Sequence, residues 1–86
     1  MNQSTFDSII DIFEIARPSI EQGINSMQSH DRQKAKQIWQ EMVSMIETRE
    51  GDIEKFSDKL KEFSQQVHEY RVRSLILSSN IKMNIL

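Results

Sequence analysis

Residues 35–81 read AKQIWQEMVSMIETREGDIEKFSDKLKEFSQQVHEYRVRSLILSSNI, and within them apolar side chains recur at alternating steps of three and four. The series runs Ala35, Trp39, Met42, Ile46, then Ile53, Phe56, Leu60, Phe63, Val67, Tyr70, and finally Leu77 and Ile81. Arg49 and Ser74 occupy the two places where an apolar residue is due. This spacing sets these apolar side chains along one seam of a helix, the a/d pattern of helices that pack along their lengths. A seam of that kind must be buried against the same chain or against a partner.

At the centre of the stretch stand Gly51 and Asp52. Glycine after a helix and aspartate before one form a stop-and-restart signal. Against it, the seam passes through Gly51 without losing phase, as a single helix of some fifty residues would require. Helices of about 10–14 residues are the norm, so a turn near Gly51 is the expectation adopted, with the long helix as its alternative. The turn divides the stretch into a helix over about 31–50 and another over about 52–84.

Upstream, Phe6, Ile9, Ile10, Phe13 and Ala16 fall at helical spacing, and Ile20, Ile24 and Met27 resume the stripe in phase beyond Pro18. Ser4 followed by Asp7 resembles a capping box at the start of this helix. A proline inside a helix removes a donor and crowds the preceding turn, so the reading is a first helix over about 5–28, kinked at Pro18. Two short helices meeting there are the alternative. Ser29-His30-Asp31 reads as the loop, with Asp31 as N-cap of the second helix. The resulting fold class is all-α, a three-helix bundle or long helical hairpin in one domain spanning 1–86, with association through the C-terminal helix as an extension.

Composition narrows the function. With glycine only at 23 and 51 and proline only at 18, the chain lacks the turn residues of a sandwich or barrel. It has no cysteine, which removes disulfides, thiolate metal sites and a cysteine nucleophile from consideration. The formal charge is −2, with both signs interspersed, unlike the basic face of a nucleic-acid binder. Asp7, Asp11 and Glu14 interrupt the first apolar stretch, which argues against a secretory signal. No run approaches the roughly 20 apolar residues of a membrane span. The expectation is a soluble, cytoplasmic protein. Twelve isoleucines against four leucines is a bias of the kind that AT-rich bacterial or phage genomes produce.

The chemistry-bearing residues form no constellation. His30 and His68 have no companions at zinc-ligand spacing, and no Glu-x-x-His pair of the di-metal bundles is present. Glu47, Glu50 and Glu54 read as surface charge, since acid–base work needs a cleft that desolvates one carboxylate. Trp39 reads as core. The sequence therefore implies no enzyme, no metal, no cofactor and no small-molecule substrate.

Beyond Tyr70 the pattern changes. Val72, Leu75, Ile76, Leu77, Ile81, Met83, Ile85 and Leu86 point in more directions than one seam can cover. An apolar patch of that size marks an interaction surface. Leu75, Ile76, Leu77 and Ile81 are the expected anchors, with Val72 beside them and Arg71 and Arg73 orienting the encounter through charge. Arg71, Arg73 and Lys82 also border this segment as they would on a membrane-surface helix, but three charges support a membrane contact only weakly. The expected partner is a protein or a second copy of the chain, most simply in a homodimer.

In length and in its apolar C-terminal helix the chain is loosely similar to the small helical filament and needle subunits of bacterial secretion systems. The proline-containing hairpin turn of such subunits is absent here. Two functions follow as expectations: an interaction module (adaptor, chaperone or inhibitor) that docks its C-terminal helix, and a self-assembling structural subunit of a helical or coiled-coil assembly.

Overall fold

The structure is a computed structural model that describes the backbone of residues 2–85 and the side chains of residues 5–77. Three helices follow one another: α1 (Asn2–Asn25), α2 (Ser29–Thr48) and α3 (Ile53–Ile85), and the described residues contain no strand. The all-α three-helix fold is therefore the observed one. α2 packs most extensively against α3, and α1 closes over both.

α1 runs through Pro18 without interruption, so the reading of two short helices is excluded. It begins earlier than the capping pattern indicates, which places Ser4 inside its first turn rather than ahead of it. Phe6 draws that turn into the bundle: it is buried, edge-on to Phe56 with ring centroids 6.2 Å apart. The helix also stops three residues short of the expected 28. Its last turn tightens, with Met27 N–H donating to the Ile24 carbonyl at 3.1 Å, a short-range bond of the kind that finishes helices. Met27 is itself buried and anchors the connection.

α2 starts at Ser29, not Asp31. Gln28 is the N-cap in an extended conformation, and its carbonyl accepts the first helical bond from Arg32 N–H at 2.7 Å. Asp31, expected as the cap, lies inside the first turn and is buried. The physical reason is an interhelical partner stronger than a backbone amide: Arg73 of α3 donates to its carboxylate, and the Gln66 amide approaches at 3.4 Å.

Between α2 and α3 the chain turns, as Gly51 indicates. Arg49 is the left-handed C-cap, φ 55°, with its N–H on the Met45 carbonyl at 2.8 Å. Gly51 has φ 120°, a conformation that glycine adopts most readily because it lacks a Cβ. Asp52 then caps α3, its Oδ1 accepting from Lys55 N–H at 2.8 Å. The apparent misfit Arg49 is thus a residue of the turn, and the uninterrupted heptad phase belongs to two antiparallel helices.

The core follows the seam. Phe6, Ile10, Ile24, Met27, Ala35, Trp39, Met42, Ile46 and Phe56 are buried, with Phe13, Phe63, Val67 and Tyr70 packed against them. Phe13 meets Phe56 at 5.0 Å and Trp39 meets Phe63 at 5.6 Å, so one aromatic column links all three helices. Each such large apolar side chain contributes about 1.5–3 kcal/mol on burial.

Candidate interaction site

The helices have unequal lengths, 24, 20 and 33 residues. At 1.5 Å per residue α3 is about 50 Å long against about 30 Å for α2. The antiparallel pairing matches Asp31, at the top of α2, with Gln66 and Arg73 of α3. Everything in α3 after that level extends past α2, and the molecule measures 58 × 19 × 18 Å.

Residues on a helix advance by about 100°, which sorts the tip into faces. Gln66, Tyr70 and Arg73 share the inward face, and Leu77 continues it beyond the end of α2. Val72 and Leu75 stand on the opposite face, with Ile76 at its edge. Leu75 is 68% exposed, Ile76 55%, and Val72 and Leu77 are exposed as well. Val72, Ile76, His68, Glu69 and Arg73 line a shallow depression of about 320 Å³. The outward stripe thus switches from polar residues (Asp58, Lys61, His68, Glu69) to apolar ones at Val72.

The sequence-derived site residues divide into three groups. Val72, Leu75, Ile76 and Leu77 come together on the exposed tip, joined by the exposed Arg71. Arg73 is turned inward, where it neutralises Asp31 while keeping 46% of its side chain in solvent. Ile81 lies outside the described side chains, as do Lys82, Met83, Ile85 and Leu86.

Ion pairs hold the body to which the tip is attached. Arg49 bonds Asp11 at 2.5 Å and Glu14 at 3.0 Å, with Asp7 at 3.7 Å, which clamps α1 to the α2–α3 turn. The Asp11 hydrogen bond is the main cause that raises the Arg49 guanidinium above its ordinary value. Glu21 accepts from the Trp39 indole N–H and from Arg17 Nε, both at 3.0 Å. These two donors, Trp39 foremost, hold its carboxyl below the usual range. Arg17 is raised by Glu21 first and then by Glu47, which it reaches at 3.2 Å. Lys59 is raised by Glu41 and then by Glu62. Glu47, weighed for acid–base work, is a surface partner of Arg17.

Two features escape the seam reading. Asp31 is a buried charge, and its signal is the seven-residue spacing of Gln66 and Arg73 on one face of α3. The other is on α1, where Ile12 and Ile15 point outward, 63% and 83% exposed. Their signal is a second three-four series, Thr5, Ser8, Ile12, Ile15, Ser19, Gln22, which contains no charge.

Among the described residues no group of His, Cys, Asp and Glu is arranged to hold a metal ion. Among them no helix is long and apolar enough to cross a membrane. Fold and site define a three-helix bundle whose last helix carries an uncovered apolar tip. Comparison with known proteins finds no matching family model, no matching curated protein and no matching solved structure.

Proposed function

We propose that this chain is a small protein–protein interaction module, of the adaptor, chaperone or inhibitor kind, and not an enzyme. It works by laying the apolar tip of α3 against a helix of a protein partner, the mode in which residues at i, i+3 and i+4 serve as anchors. The observation that carries this reading is the outward stripe of Val72, Leu75 and Ile76. These side chains face away from the bundle, so no lengthening of α1 or α2 would cover them. The seam from Ala35 to Phe56, which a coiled-coil filament would use, is buried inside the bundle, and this favours docking over assembly along the seam.

Ile76→Asp tests the proposal. Ile76 is more than half exposed, so the variant keeps its far-UV circular dichroism and its thermal midpoint. Association with the protein captured by the full chain should be lost in a direct titration. Unchanged affinity would remove the tip from the interface.

A further inference from the structure

The outward face of α1 exposes two large apolar side chains, Ile12 and Ile15, where that of α2 carries Gln33, Gln37, Gln40 and Ser44. In helical projection the α1 face runs from Pro18 through Asp11, Gln22, Ile15, Ser8, Ser19, Ile12, Thr5 and Gly23 to Ala16. Asp11 is its one charged residue, at the edge, with Glu14 just beyond. Ile12 and Ile15 form an exposed apolar ridge flanked by small side chains, a shape that lets another helix approach closely. The corresponding face of α3 below the tip carries Asp58, Lys61, His68 and Glu69.

Charge identifies the helix that fits. Residues 1–28 hold four carboxylates (Asp7, Asp11, Glu14, Glu21) and a single basic residue, Arg17. Asp11 and Glu14 remain more than half exposed even while bound to Arg49. Residues 71–86 hold no acidic residue, and beside Arg73, which is paired with Asp31, they hold Arg71 and Lys82. Within one molecule the tip extends past the end of α2, while the Ile12–Ile15 ridge lies near the level of Phe13, which packs on Phe56. The tip therefore reaches such a ridge on another molecule.

We infer that the Ile12–Ile15 face of α1 is the seat, in a second copy of this chain, for the apolar tip of α3. This rests on the tip-docking reading above and names the partner. A reciprocal exchange buries both tips and both ridges about a two-fold axis, so each contact occurs twice. That doubling matters, because one helix pair alone falls short of the roughly 1,200–2,000 Å² of a stable interface.

The experiment is sedimentation equilibrium of the full chain, alone and in mixtures. The wild type should self-associate, and more weakly at high salt, where complementary charges are screened. The seat variant Ile12→Asp/Ile15→Asp and the tip variant Leu75→Asp/Ile76→Asp should each weaken association on the order of a hundredfold. Circular dichroism should show both still folded, since all four positions are exposed. Mixing the two variants should restore association in part, to a level above either variant alone and below the wild type, because one of the two contacts then joins an intact tip to an intact ridge. A seat variant that dimerises like the wild type, or a mixture without recovery, would overturn the inference in favour of tip-on-tip packing. A wild-type chain monomeric at every concentration would overturn it too, while leaving the tip to a different protein; tip docking itself fails on the Ile76→Asp titration.

Discussion

Arg49 ends α2 in a left-handed conformation and, from there, gathers three carboxylates of α1. Backbone and side chain therefore make opposite demands on this position. A residue with a Cβ is strained at φ 55°, and glycine is not. Replacing Arg49 removes the clamp in every case, but Arg49→Gly relieves the backbone and Arg49→Ala does not. The expected order of thermal midpoints is wild type, then Gly, then Ala, with Gly about 4–8 °C above Ala. This reverses the usual helix ranking, in which Ala outranks Gly. High salt should narrow the gap between wild type and Gly, because these exposed pairs are screened. An Ala variant as stable as Gly would show that the cap conformation is not what differs between them. At this scale the sequence is a poor guide. Arg49 reads as a seam misfit and Asp31 as a cap, because a side chain's partner across the bundle leaves no mark on its own neighbours in the chain.

α3 is one continuous helix with two parts. Up to Tyr70 its inward seam packs on α1 and α2; beyond Arg73 the described Leu75, Ile76 and Leu77 are exposed. Among the described residues every buried side chain lies between Phe6 and Gln66. A chain ending after Ser74 should therefore fold, with its thermal midpoint within a few degrees of the full chain (roughly 0.5 kcal/mol). It should also lose all association. Unfolding of that truncated chain, read by circular dichroism, would mean that the tip contributes to the core. The helical class, the apolar seam and the apolar excess after Tyr70 are all legible in the sequence, because helical periodicity is a local property. The choice at Gly51 is not, since a two-helix hairpin and one long helix can carry the same phase. Gly51 at φ 120° and the Asp52 cap decide it.

For the molecule as a whole, acid is the informative perturbant. Glu21 joins α1 to α2 by accepting from Trp39, and that bond, followed by the one from Arg17, holds its carboxyl below the ordinary value of 4.5. A carboxyl depressed on folding contributes stability that is complete above the unfolded value and is lost as pH falls through the folded one. The thermal midpoint should therefore hold steady near neutrality and decline below about pH 4.5. Glu21→Gln should have a lower midpoint at neutral pH and a shallower acid decline. Trp39 fluorescence should follow the same transition, because the indole loses its acceptor's charge. A Glu21→Gln profile parallel to the wild type would assign the acid response to other carboxylates. The elongated shape has its own consequence: the tip and the α1 ridge lie at different heights, so they do not meet within one molecule.

Sequence by itself determined the helical class, the seam that becomes the core, and the apolar excess after Tyr70, since each follows from residue type and spacing along one chain. Tertiary structure alone decided the rest. It buried Asp31 against Arg73, turned Val72 and Leu75 away from the bundle, and left Ile12 and Ile15 uncovered on α1. Those outcomes depend on how high one helix stands against another and how it is rotated, and these are set by packing three helices together.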